Sequence, residues 1–178
     1  MIDKSDSPLT ALLNASMHPG TLLWIGIRPE RRTPMLNVRE ARLDPREGLI
    51  GDHYLSRTNG NRHLTLIGQE NLAAIAGFLR RDTVSPELLR RNLVISGINL
   101  LALKTKCFQL GECLLEMTGE CHPCSRMEAI FGTGGYNAVR GHGGITARVL
   151  RGGMIHVGDL LRVAPDQASG IAEPKTLA

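Results

Sequence analysis

Seven short runs, each of three to seven residues, carry the strand-like patterning of this chain, and they limit it to folds built from many short strands. Thr21 to Ile27 is continuous and apolar, as a buried strand is. Asn37 to Leu43 alternates loosely and His63 to Ile67 clearly. Leu93 to Ile95, Cys113 to Met117, Ile145 to Leu150 and Asp159 to Val163 complete the set. Glycines at 48, 51, 60, 97, 111, 119, 152, 153 and 158 punctuate the runs as turns. Helical patterning is scarcer. Gln69 to Arg80 places Leu72, Ile75, Ala76 and Leu79 on one face, Ser85-Pro86 opens a short helix to Arg91, and Pro123 to Phe131 forms a third. The expected class is mostly β (a β-rich α+β fold), barrel-like, with a few short peripheral helices.

A chain of 178 residues holds one core. With aromatics at 3%, that core is aliphatic. The expected division is an N-terminal extension over 1–19, one domain over 20–164 and a flexible tail over 165–178, whose Pro, Gly and small polar residues lack periodicity. No apolar run is long enough to span a membrane. The first residues, with Asp3, Lys4 and Asp6, lack the order of a secretion signal, so the expected compartment is the cytoplasm. Four cysteines there read as thiols. The cations are nearly all Arg, a type suited to phosphate and carboxylate, although GC-rich codon usage explains that bias as well. No Lys/Arg block is interleaved with aromatics, which argues against nucleic acid as a partner.

Chemistry concentrates in G-E-C-H-P-C-S-R, residues 119–126. Cys124 precedes an expected helix, with His122 and Arg126 nearby, and this setting favours the thiolate. Three other readings stay open: inert buried cysteines; structural zinc on Cys121 and Cys124 with the loosely spaced Cys107 and Cys113; and a dithiol redox pair, whose usual βαβ setting is missing here.

Six motifs follow one another in order: GLIGDH (Gly48 to His53), RHLTLIGQE (Arg62 to Glu70), RRNLVISGI (Arg90 to Ile98), GECHPCSRME (Gly119 to Glu128), RGHGGITARVL (Arg140 to Leu150) and GGMIHVGD (Gly152 to Asp159). This set resembles the MOSC domain, the module named for the C-terminal part of molybdenum cofactor sulfurases, over roughly Gly20 to Val163. The resemblance implies a β-barrel and makes Cys124 the cysteine that ligates molybdenum in cofactor-binding members or carries sulfur as persulfide in others. A soft thiolate suits either task.

The resemblance further implies molybdopterin as cofactor and reduction of oxo or N-hydroxylated small molecules by an external redox partner. As a sulfur carrier the chain would instead need a partner cysteine desulfurase, because no pyridoxal-phosphate domain is expected here. A third option is a non-catalytic cofactor-binding module.

Cys121 is expected as a resolving thiol beside Cys124. Asp52 and His53 either contact a ligand or shape a turn. Arg62, Arg91, Arg126, Arg140 and Arg148 are the candidate holders of an anionic cofactor. Asn92 would orient it, and Gly141, His142 and Gly143 would form a close-approach cradle. Glu70 and Glu128 read as solvated helix-face residues and His156 as structural.

Overall fold

A computed structural model describes residues 7–53 and 61–165. A short helix, α1 (Pro8–Leu13), opens the described chain with Ser7 as its N-cap. The strands that follow are β1 (Gly20–Ile27), β2 (Leu36–Val38), β3 (Glu40–Asp44), β4 (Gly48–Leu49) and β5 (Leu64–Gly68). Helices α2 (Gln69–Phe78) and α3 (Pro86–Leu89) then lead to β6 (Leu93–Ser96). A 3-10 turn at Leu100–Leu103 precedes the hairpin β7 (Cys107–Leu110) and β8 (Cys113–Glu120). Helices α4 (Arg126–Phe131) and α5 (Gly135–Val139) and strands β9 (Ile145–Arg151), β10 (Gly153–His156) and β11 (Leu160–Val163) complete the order.

Seven strands close a barrel in the order β1-β6-β5-β9-β8-β7-β11, with β11 returning to β1. Closure works because β1 is long enough to divide one edge between two partners. Gly20 and Thr21 pair with β11, whereas Ile25 to Ile27 pair with β2. Among the described residues only β5 and β6 pair in parallel. A parallel pair needs a crossover, and α2 with α3 supplies it. Both faces of this pair are therefore covered. Leu66 and Ile95 enter the barrel core, and Ile67 and Val94 pack outward against Leu72, Ile75, Leu89, Met127 and Phe131. A small sheet, β10-β3-β4, adds Ala41, Leu43, Leu49 and Ile155 to the barrel core.

The mostly-β barrel with peripheral helices is the architecture expected. Several boundaries differ for local reasons. The run Asn37 to Leu43 is not one strand: it breaks at Arg39 into β2, which pairs with β1, and β3, which belongs to the small sheet. The third helix begins at Arg126 instead of Pro123. Helix α3 stops at Leu89 because Arg90 turns left-handed, with φ 54° and ψ 46°. Among the described residues no helix is long and apolar enough to cross a membrane. The tail assigned to 165–178 lies outside the described residues except for Pro165.

His63 leads into β5 and is 5% exposed. Its amide donates to Ala147 O at 3.0 Å, and its Nδ1 accepts from Val149 N at 3.0 Å. An accepting Nδ1 requires the neutral ring with its proton on Nε2. Burial lowers the imidazole pKa below its ordinary 6.5, Arg148 lowers it further, and Asp44 opposes. The unfolded chain thus binds this proton first. The contribution is complete above the unfolded value and is lost as pH falls through it towards the folded one. Denaturant unfolding is expected to lose stability steeply from pH 7 to pH 5. His63→Asn, whose amide oxygen can accept from Val149 N, should flatten that slope.

Candidate functional site

The strand ends of the barrel and the segment before α4 enclose a cavity of about 490 Å³. That is within the size range of small-molecule sites. Five guanidiniums line it: Arg28 after β1, Arg62 before β5, Arg90 and Arg91 before β6, and Arg126 at the start of α4. Asp52 is the one carboxylate among the lining residues. Cys124 lines the same cavity and is the one exposed cysteine of the four; Cys107 is half-buried and the other two are buried.

Arg91 is buried, and its side chain is held at two points. Nε donates to Gly143 O at 2.7 Å and Nη1 to Leu89 O at 2.6 Å. Burial lowers its pKa; Cys121 opposes, Arg62 adds to the lowering and Cys124 again opposes. Arginine remains charged regardless. Cys121 is buried and is not among the residues that line the cavity. Burial pushes its thiol pKa up, against the pull of Arg91 and of Arg62, which also donates a hydrogen bond to it. The expected auxiliary thiol is therefore a buried one held within an arginine pair.

Asn92 also lines the cavity, but its amide staples three strands. Oδ1 accepts from Thr65 N at 3.1 Å and Thr65 Oγ1 at 2.9 Å, and Nδ2 donates to Gly26 O at 3.3 Å. Asp52 and His53 act on Arg28. Asp52 Oδ1 accepts from Arg28 N at 2.8 Å, and His53 Nδ1 accepts from Arg28 Nε at 3.2 Å. His53 itself is not part of the lining.

The RGHGG motif does not come to the cavity. Arg140 is exposed at the end of α5, and Gly141 is exposed beside it. His142 Nδ1 accepts from Asn71 Nδ2 at 3.2 Å, and its ring packs on the Phe78 ring at 5.2 Å. Gly143 supports the site from below through its carbonyl on Arg91. Arg148 does not line the cavity and pairs with Glu116 on the neighbouring strand, Nε to Oε2 at 3.1 Å. Glu128 accepts from Gly134 N and Tyr136 N, which hold its carboxyl below the ordinary range. Glu70 accepts from Gly97 N at 2.8 Å, and His156 lies exposed beside Glu40 and Asp159.

The four-cysteine zinc arrangement fails on placement. Cys113 sits in the barrel core, where burial, then Glu112 and Asp159, push its pKa up to about 11. Among the described residues no group of three or more His, Cys, Asp or Glu side chains gathers to hold a metal ion. Arg28 and Arg90 were not among the sequence candidates. Their signals are modest: Arg28 directly follows the first apolar run, and Arg90 is the first of Arg-Arg-Asn.

Fold and cavity together define a small closed-barrel protein with one exposed thiol on an arginine-rich wall. Residues 36–162 match the family model of the MOSC domain, and the chain belongs to that family. Its fold is similar to that of the YuaD protein from Bacillus subtilis (TM-score 0.70, 18% identity, covering 82% of this chain and 96% of that one). It is also similar to YiiM from Geobacillus stearothermophilus (TM-score 0.67, 15% identity, 83% and 76% covered) and YiiM from Escherichia coli (TM-score 0.63, 18% identity, 84% and 72% covered). No curated protein sequence matches the chain.

Proposed function

We propose that this MOSC protein binds a molybdenum cofactor through Cys124 and reduces N-hydroxylated or oxo small molecules with electrons from an external redox partner. The observation that carries this reading is the position of Cys124, exposed on a cavity wall with five arginines and one carboxylate. The donor set fits the group: a soft thiolate is a suitable ligand for molybdenum, and guanidinium forks suit the cofactor's phosphate. When bound, the cofactor would supply two-electron oxygen-transfer chemistry. Cys124 would anchor it. Arg62 and Arg91 would counter its negative charge, with Arg91 kept in place by Gly143 O and Leu89 O. Asn92 would keep β1, β5 and β6 in register beneath it. The cytoplasm, where thiols stay reduced, suits such a site.

The test is molybdenum and pterin content after expression in a molybdate-fed host. Wild type should retain both, and Cys124→Ala should retain at least tenfold less at an unchanged Tm. A cofactor-free wild type that also fails to take up added cofactor would remove this reading. Sulfur carriage from a desulfurase is the second reading, favoured by the exposure of Cys124 to a partner. It predicts a one-sulfur mass adduct that is absent in Cys124→Ala.

A further inference from the structure

Arg62 lines the cavity from just ahead of β5, which begins at Leu64 and meets β9 there through Ala147. Its side chain is long and exposed, yet it donates a hydrogen bond to the buried Cys121. Such a contact costs rotamer freedom, so the backbone beneath it has to be fixed. His63 fixes one flank, its amide donating to Ala147 O and its Nδ1 accepting from Val149 N. The other flank is Asn61, and what holds Asn61 is the outer face of β8 and β9.

Two side chains of that face reach Asn61. Thr118 Oγ1 donates to Asn61 O, and Arg148 Nη1 donates to Asn61 Oδ1 at 3.4 Å. Each of the two is itself aimed. Thr118 is the extra residue of a bulge in β8: Met117 pairs with Ala147 and Gly119 with Thr146, and Thr118 falls between them. A bulge re-aims a side chain, and this one sets the Thr118 hydroxyl 3.0 Å from Thr146 Oγ1. One hydroxyl carries one proton. Thr118 gives its own to Asn61 O and so accepts from Thr146. Arg148 is turned by Glu116, which takes up Nε and Nη2 and leaves Nη1 for Asn61. A half-exposed ion pair adds little stability, so orientation is the larger part of what Glu116 does.

We propose that Thr118, Arg148 and Glu116 are positioning residues that act through Asn61 to hold Arg62 against Cys121. None of the four residues from Asn61 to Glu116 in this chain of contacts lines the cavity, so the outer wall of the barrel acts on the thiol segment from outside it. The inference rests on reading the Cys124 cavity as the working site, but it concerns a property of the cofactor-free chain. Its direction follows from the contacts. Burial opposes the Cys121 thiolate, and Arg62 favours it by charge and by its hydrogen bond. A loosened Arg62 leaves burial less opposed, so Cys121 titrates at higher pH.

The test follows the pH titration of the cysteine Cβ carbons by NMR, in the full chain isolated from a host unable to make molybdopterin. Each signal is assigned by replacing that cysteine with serine. Thr118→Val keeps the side-chain shape and removes the hydroxyl, and Arg148→Met removes the second donor. Both should move the Cys121 curve to higher pH, and Thr118→Ser should return it to the wild-type position. The Cys113 signal, from the barrel core, should stay unchanged and report an intact fold. At neutral pH, exchange of the Arg62 guanidinium protons with water should quicken in Thr118→Val and Arg148→Met. Arg62→Met should raise the Cys121 curve at least as far as Thr118→Val does. In that background Thr118→Val should add nothing, because no guanidinium is left to position. Wild-type exchange at Arg62 in Thr118→Val would overturn the proposal. So would a Cys121 curve that stays in place, or one that moves as far with Arg62→Met present as without it. Molybdenum plays no part in these readings, so their failure and the failure of cofactor binding are told apart.

Discussion

Gly144→Ala should abolish accumulation of folded protein, with any residual fold weakened by more than about 4 kcal/mol. Gly144 precedes β9, at the point where that strand meets β5. Its φ of +83° is one that L side chains rarely adopt. A Cβ there would also overlap the Leu66 carbonyl oxygen and lie 2.9 Å from Ile67 Cα. These are backbone atoms of a strand buried on both faces, so they cannot move aside. The same glycine's carbonyl accepts from Cys121 N at 2.8 Å, so displacing it also displaces the segment that carries the thiols. Gly141→Ala isolates the conformational share of the effect: φ is +81°, but nothing lies within 4 Å of the added Cβ, so it should cost only about 1 kcal/mol. Soluble yield and urea unfolding of the two variants check the contrast. Equal, small losses would show that the β9 backbone has room that the structure does not give it.

That pair of glycines also marks where sequence reasoning stops. From the chain alone, Arg140 to Gly144 reads as one loop able to cradle a ligand. The fold divides its work: Gly143 and Gly144 let β5, β8 and β9 approach, and Arg140 and His142 face elsewhere. A backbone close approach and a ligand cradle ask for the same residue type. Strand β1 was legible because five large apolar side chains fall within Thr21 to Ile27 with no charge among them, and β5 because His63 to Ile67 alternates. Strand β7 has four residues and follows Lys104-Thr105-Lys106, too little pattern to stand out. Helix α5 contains Gly135 and Asn137, poor helix formers that its packing against α4 and α2 overrides.

For the site, Cys124 was legible because a thiol ahead of a helix within an ordered motif set has few bland explanations. Arg28 and Arg90 were not, since a guanidinium at a strand end is ordinary until closure brings Arg126 beside it. Arg148 shows the converse. Alternation gives its outward direction, but only the β8–β9 register, with Glu116 opposite Arg148, gives it an ion-pair partner.

Arg91 carries the second large effect, and the cause is geometry more than charge. Its fork satisfies two buried carbonyls in different segments, Gly143 O beside the thiol-bearing strand and Leu89 O at the end of α3. Arg91→Met fills similar volume and removes the cost of burying a cation, yet leaves both acceptors without that donor. Each orphaned carbonyl costs about 1–3 kcal/mol, so the variant should lose about 3 kcal/mol in denaturant unfolding. Arg91→Lys restores the charge with a single ammonium, which cannot span both carbonyls as Nε and Nη1 do. It should recover less than half of that loss. If lysine performs as well as arginine, charge alone is what the site requires, and the two-point support is not. On the cofactor-binding reading, both variants should also retain at least tenfold less molybdenum at temperatures where they stay folded. The loss would arise because Arg91 holds the Gly143 segment, and the adjoining Gly144 carbonyl accepts from Cys121 N.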